Sequence, residues 1–111
     1  MALQVAEGSK ASGGEATFIQ ADVSSQEAVR KLHQEAVVIY GGLDAAVNNA
    51  GIFTDSARIG DCSTEKFNDM MDVNVFGLFW CMQEQIRIML TQKSGHMVNL
   101  ASIAGLHGIP Y

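Results

Sequence analysis

The sequence predicts an α/β fold, specifically part of a doubly wound parallel sheet with helices packed against it. Segments of strand length alternate with longer segments whose apolar residues recur at helical spacing, in the order strand, helix, strand, helix, strand. Turn residues separate these segments, and no repeat or low-complexity linker interrupts the 111 residues. We therefore expect one domain over residues 1–111.

The first strand and helix follow a turn rich in glycine and serine. Residues 16–23 are predicted to form the strand. Ser24 and Glu27 then make a Ser-x-x-Glu capping box, which predicts a helix over residues 25–40. Six apolar residues at helical spacing are expected to form its buried face: Ala28, Val29, Leu32, Ala36, Val37 and Tyr40. Gly41 is expected to end the helix.

The second strand and helix occupy the middle of the chain. Residues 43–47 form a short apolar segment, as expected of a parallel strand covered on both faces. Ser63 or Thr64 is the expected N-cap of a helix that reaches residue 92, with its regular part from residue 67 and a break near residues 69–72. Its apolar residues cover more than one stripe, which predicts contact with the sheet and with a partner subunit.

The third strand is predicted over residues 96–101, after Gly95 ends the preceding helix. Polar residues stand at or just after the carboxyl end of each predicted strand: Asp22, Asn48 with Asn49, and Ser102. Open α/β sheets bind their ligands at this edge, so we expect these side chains to contribute to one site.

Composition narrows the possible functions. Seven basic and 12 acidic residues give a formal charge of −5, and no basic stripe is present that could neutralise phosphates, which argues against nucleic-acid binding. Cys62 and Cys81 have no partner at metal or disulfide motif spacing, so reduced structural thiols are expected and no metal site. The first residues lack the features of a signal peptide, and no apolar run could span a bilayer, which predicts a cytoplasmic protein without a membrane partner.

Three motifs resemble the middle of the short-chain dehydrogenase/reductase family: Asn48-Asn49-Ala50-Gly51, then residues 72–77, then residues 98–105 with Ser102 and Gly105. The resemblance covers roughly residues 11–111. It implies a Rossmann-type domain and hydride transfer between NAD or NADP and a secondary alcohol or ketone. The family's glycine-rich pyrophosphate loop and its Tyr-x-x-x-Lys pair do not occur in the sequence. The expectation is an incomplete domain, a fragment that is inactive as given.

The resemblance also implies roles for individual residues. Cofactor binding would fall to five of them: Asp22, Val23, Asn49, Ala50 and Gly51. Asp22 would accept a hydrogen bond from the adenine amine, although an aspartate here also starts a turn. Asn74 would hold a water in a proton relay, or it pairs with a local carbonyl. Ser102 would hydrogen-bond the substrate oxygen. Tyr111 lies too close to Ser102 to be the family's catalytic tyrosine and is interpreted as a pocket or loop residue.

Two further expectations concern folding and association. The three strands match the family's third, fourth and fifth, so the first of them would lie apart from the other two and stable isolated folding is doubtful. The full-length parent would form homo-oligomers through residues 67–92. Alternative hypotheses are a non-catalytic truncated protein that dimerises with a full-length relative, or a gene-model fragment. His107, a loop histidine, is expected to be a surface residue.

Overall fold

A computed structural model describes residues 2–54 and 56–108, with side chains from Ala6 onwards. Four α-helices and two strands are α1 (Ala2–Ala11), α2 (Gln26–Tyr40), β1 (Ala45–Asn48), α3 (Thr64–Met71), α4 (Leu78–Gln92) and β2 (His96–Asn99). A π-helical segment, Asp72–Gly77, joins α3 to α4. Single turns of 3₁₀-helix occupy Ile59–Asp61 and Ile103–Gly105.

The sheet consists of β1 and β2, which pair in parallel. Ala45 lies opposite His96 and Asn48 opposite Asn99, so both strands end at the same level. The ladder continues one residue further, where the Leu100 N–H donates to the Asn48 carbonyl over 3.0 Å. The α/β class is confirmed, and two of the three predicted strands are present with slightly shifted ends.

The predicted strand over residues 16–23 is wrong. Residues 16–22 have no regular secondary structure and Val23 lies in a turn. They make no ladder because the described part of the chain contains no strand beside them, and a β-strand exists only through pairing. A side-chain contact ties the segment to α2, since the Tyr40 hydroxyl donates to Thr17 Oγ1 over 3.0 Å.

Helix α2 matches its prediction except for its N-cap residue and the exposure of Tyr40. Ser25, not Ser24, is the N-cap, and its hydroxyl accepts from the Ala28 N–H over 3.3 Å. Gly41 ends the helix in the left-handed conformation, with φ of 83°, and donates to the Val37 carbonyl. Val29 is fully buried, whereas Tyr40 is 48% exposed and was wrongly expected to be covered.

Helices α3 and α4 and the π-helical segment form one continuous helical rod from Thr64 to Gln92. Ser63 is the N-cap, and its hydroxyl accepts from the Lys66 N–H. It is one of the two N-cap residues that the sequence predicted. The predicted break near residues 69–72 is displaced, because helical geometry changes over Asp72–Gly77 instead. A π-helix closes its hydrogen bonds over five residues, which widens the helix locally without ending it.

Gly77 allows the chain before α2 to lie directly against this rod. A Cβ atom built on Gly77 would lie 2.9 Å from the Val23 carbonyl oxygen and 3.0 Å from its Cγ2. These distances leave no room for a side chain at position 77. The close approach therefore brings residues 22–23 beside the helical rod that also carries Asn74.

The core lies where α2 packs on α4 and α4 packs on β1. Its buried side chains are Val29, His33, Cys81, Gln85 and Met89. Apolar side chains also remain exposed on α4, among them Phe79 at 53% and Leu90 at 72%. Within residues 2–54 and 56–108, no helix is long and apolar enough to cross a membrane.

Replacing Gly77 with alanine should destabilise the chain, because the added methyl group meets the backbone carbonyl oxygen, Cβ and Cγ2 of Val23 at 2.9–3.1 Å. We expect the unfolding free energy to lie roughly 1–3 kcal/mol below that of an alanine variant without overpacking, since overpacking costs this amount. Because alanine also returns about 1 kcal/mol of helix propensity, the net loss relative to the unmodified chain is about 0–2 kcal/mol. Urea denaturation measures the change. Gly8→Ala is the matched control, as a Cβ there meets nothing within 4 Å. A Gly77→Ala variant as stable as this control would contradict the packing argument.

Candidate functional site

The carboxyl ends of β1 and β2 open into a cleft of about 490 Å³ beside the π-helical segment. Five of the seven residues predicted for the site line this cleft: Asn49, Ala50, Gly51, Asn74 and Ser102. They come from three separate parts of the sequence. The apolar part of the lining is supplied by Ile52, Leu78 and Leu100. The cleft is thus lined by small and apolar residues together with side-chain amide and hydroxyl groups.

Asn74 clamps the loop that follows β1 to the helical rod. Its Oδ1 accepts from the Ile52 N–H over 2.8 Å, and its Nδ2 donates to the Ile52 carbonyl over 2.8 Å. Ile52 lies 22 positions before Asn74 in the sequence, so the expected alternative of a bond to a local carbonyl is wrong: the partner carbonyl comes from a distant loop. An amide has two donor hydrogens and two acceptor lone pairs, so one of each remains for a ligand or a water.

Ser102 begins the 3₁₀ turn after β2 and is exposed to the cleft. Its Oγ accepts from the Ala104 N–H over 3.2 Å. A hydroxyl group that accepts in this way keeps its own hydrogen, which can be donated to another oxygen. The backbone contact fixes the position of the oxygen and leaves the proton available for a bound carbonyl or hydroxyl group.

Val23 and Asp22, the other two predicted residues, lie outside the main cleft. Val23 lines a neighbouring cavity of about 210 Å³ that shares Asn48, Asn49 and Ala50 with the cleft. Asp22 is exposed and lines neither cavity. It starts the turn into α2, where its Oδ1 accepts from the Ser24 hydroxyl at 2.7 Å and from the Ser24 N–H at 2.9 Å.

These two bonds, the hydroxyl bond first, hold the pKa of the Asp22 carboxyl below its ordinary value, because both favour the charged form. Asp22 therefore stays a carboxylate at neutral pH, with Oδ2 outside the bonds to Ser24. The structure agrees with the turn interpretation of Asp22, and a second role as an acceptor remains compatible with it.

Two polar residues of the core were missed by the sequence analysis. His33 is 7% exposed and Gln85 is 4% exposed; they lie within hydrogen-bond distance of each other, and Gln85 also bonds to Asn48. A signal was available, since each stands four positions after a buried residue of its helix, Val29 or Cys81, and so lies on the face that packs inward.

His107 does not line the cleft. His107 is exposed, in agreement with its expected surface location. Tyr111 lies outside the described residues.

Burial raises the pKa of the Cys81 thiol, so this group stays protonated and unreactive at neutral pH.

Comparison with known proteins gives one matching family. The sequence model described as short chain dehydrogenase matches residues 1–111. The chain is 41% identical over 101 residues to 2,5-dichloro-2,5-cyclohexadiene-1,4-diol dehydrogenase of Sphingobium indicum, covering 90% of this chain and 40% of the relative. It is 39% identical over 106 residues to 3-oxoacyl-(acyl-carrier-protein) reductase FabG of Staphylococcus epidermidis, covering 96% and 43%.

Solved structures agree with these relatives. NAD+-bound xylitol dehydrogenase superposes with a TM-score of 0.93 at 33% identity, over 98% of this chain and 42% of that one. ElxO with NADP bound superposes with a TM-score of 0.81 at 37% identity, over 86% and 38%. In all four comparisons the chain spans less than half the length of the protein that it matches.

Proposed function

Because this chain belongs to the short-chain dehydrogenase family, we propose that its cleft is the nicotinamide and substrate part of an NAD(P)-dependent oxidoreductase site. The observation that carries the proposal is the common cleft of Asn49, Ala50, Gly51, Asn74 and Ser102. The substrate class that we propose is a secondary alcohol or a ketone. The relatives whose names specify a diol dehydrogenase and a 3-oxoacyl reductase support this class.

The residues present fit a flat nicotinamide ring. Ala50 and Gly51 line the cleft without bulky side chains, and even a Cβ built on Gly51 would only reach ordinary contact distance, 3.5 Å, from Asn74 Oδ1. The similar structures with NAD+ and NADP bound support the choice of cofactor. Asp22 and Val23 are proposed to contact the adenine end, where an ionised carboxylate accepts from an exocyclic amine.

The proposed roles follow from the hydrogen-bond inventory. A bound nicotinamide supplies the carbon that accepts or gives a hydride. Ser102 donates its free hydrogen to the substrate oxygen and holds that oxygen where negative charge develops during ketone reduction. Asn74 keeps the Asn49–Gly51 loop against the helical rod through Ile52, and its remaining donor and acceptor can hold a water for proton transfer. Proton transfer at the substrate itself has no acid/base group among these residues.

We expect weak nucleotide binding and no turnover from these 111 residues by themselves. General acid/base catalysis typically contributes 10²–10⁴-fold, and the sequence holds no Tyr-x-x-x-Lys pair to supply it. Titrating ¹⁵N-labelled chain with NADH should shift the amide signals of Asn49, Gly51 and Ser102, with a dissociation constant above the micromolar range. NADH absorbance with ketones should stay constant.

Two comparisons make this experiment decisive. Gly51→Val should abolish the shifts at Asn49 and Ser102 by filling the cleft, whereas Gly60→Val changes an exposed glycine outside the cleft and should preserve them. Shifts confined to residues outside the cleft, or turnover at ordinary enzymatic rates, would contradict the proposal.

We propose a second function, association with another chain of the family, because α4 exposes apolar side chains. Phe79 is 53%, Ile86 43% and Leu90 72% exposed. Native mass spectrometry of the chain, alone and mixed with a full-length family member, should detect dimers. Leu90→Lys should reduce the dimer fraction severalfold, and the control Ile59→Lys, at a residue 91% exposed on the 3₁₀ turn, should not. Monomers in every mixture would contradict this function.

A further inference from the structure

We propose that His33 and Gln85 are positioning residues that fix the orientation of the Asn48 side-chain amide at the end of β1. The consequence for ligand binding rests on the proposed function of the cleft. The orientation itself follows from a continuous set of hydrogen bonds that runs from α2 through α4 to both strands. We call this set the strand-end network; its members are Val29, His33, Gln85, Asn48, Asn99 and Met82.

At Val29, the donor and the acceptor of the first hydrogen bond in the network can be assigned. The Val29 carbonyl lies 2.8 Å from His33 Nδ1 and can only accept, so Nδ1 carries a hydrogen and donates it. In neutral histidine the other nitrogen, Nε2, then accepts. Gln85 Nε2 lies 3.2 Å from it and is the donor. The tautomer of His33 thus determines which end of the Gln85 amide faces it.

The direction passes from Gln85 to Asn48 through a reciprocal amide pair. Gln85 Nε2 donates to Asn48 Oδ1 over 2.7 Å, and Asn48 Nδ2 donates to Gln85 Oε1 over 2.9 Å. Gln85 has now used both of its donor hydrogens. Rotating either amide by 180° would set oxygen against oxygen and nitrogen against nitrogen, so one orientation determines the other.

The network ends on β2. Asn48 Nδ2 donates its second hydrogen to Asn99 Oδ1 over 2.7 Å, and Asn99 Nδ2 donates to Met82 Sδ over 3.2 Å. A thioether can only accept a hydrogen bond, so Met82 requires the Asn99 amide to point its nitrogen towards it. This orientation is consistent with the donors and acceptors assigned from the Val29 carbonyl at the other end of the network. Among the described residues, no buried side-chain nitrogen or oxygen lacks a partner. The buried part of the network therefore needs no solvent partner, whereas Asn99 at its far end is exposed.

Packing alone does not account for these residues. His33 and Gln85 are 7% and 4% exposed in the contact between α2 and α4, where apolar side chains of similar size would fill the same space without loss of hydration. Their polar groups add a defined position for Asn48, which lines the cleft next to Asn49 and Ala50. The network therefore ties the spacing of the cleft walls to the packing of α2 on α4.

Nitrogen NMR of the unmodified chain is the first test. The ¹⁵N signals of His33 should identify a single tautomer with the hydrogen on Nδ1, and the Asn48 carboxamide hydrogens should exchange slowly with water. A tautomeric mixture like that of free imidazole, or an Asn48 amide that exchanges at the rate of an exposed amide, overturns the proposal.

Gln85→Met is the second test, since it keeps an unbranched side chain of similar length and removes the amide. We expect about tenfold faster exchange of the Asn48 carboxamide, as for the loss of one or two hydrogen bonds. NADH affinity should fall about three- to tenfold. Gln34→Met is the matched control, because Gln34 is exposed on α2 beside His33 and belongs to no bond of the network. Equal exchange rates and affinities in the two variants overturn the proposal.

A third variant, Gln85→Glu, keeps the shape of the side chain and replaces the donating amide nitrogen with oxygen. It should disturb the Asn48 amide at least as much as Gln85→Met. Full retention of the slow exchange in Gln85→Glu overturns the assigned direction. The unmodified chain could show the stated His33 tautomer and slow Asn48 exchange and still fail to bind NADH. This result would contradict the function proposed for the cleft, but it would support the orientation of Asn48.

Discussion

The side-chain hydrogen bond between Asn48 and Asn99 connects the two strand ends on which the cleft depends. The backbone ladder sets β1 and β2 in parallel register and brings these two residues opposite each other. Their side chains then bond over 2.7 Å at the edge where the ladder stops. Beyond that edge only loops continue, and loop backbone needs other partners to stay in one conformation. Asn48 itself lines the cleft, and Asn49, Ala50 and Gly51 follow it directly.

Two further contacts fix the walls of the cleft. Asn74 bonds to both backbone groups of Ile52, so the loop after β1 cannot move away from the helical rod. Gly77 lets Val23 approach the same rod to within van der Waals contact, which brings the segment before α2 to the neighbouring cavity. The π-helical segment carries both residues. The segment with altered helical geometry thus contacts the loop after β1 through Asn74 and the segment before α2 at Gly77.

Much of this arrangement was predictable from local sequence. Helix ends such as Gly41 and Ser63 follow from backbone conformation and capping chemistry, which act within a few residues. The two paired strands were recognisable as short apolar segments, and the motif residues Asn49 and Ser102 pointed to one edge of the sheet. Each of these predictions depends on neighbours in the sequence or on a fold-wide pattern.

The features that escaped prediction depend on contacts between distant residues. Residues 16–23 have the composition of a strand, but pairing requires a neighbour that the described chain does not provide. Ser24 rather than Ser25 was expected as the N-cap because the competing bond of Ser24 to Asp22 was not anticipated. The partnership of His33 with Gln85 joins positions 52 residues apart, and no local pattern reveals such a pair.

The central claim is that side-chain bonding between the strand ends, beyond the ladder itself, builds the cleft. A double-mutant cycle measures it most directly, with Asn48→Ala, Asn99→Ala and the double variant compared by urea denaturation. A coupling free energy of about 0.5–1.5 kcal/mol between the two positions is the predicted result, as for a hydrogen bond of ordinary strength. Additive effects, with a coupling close to zero, would contradict the claim.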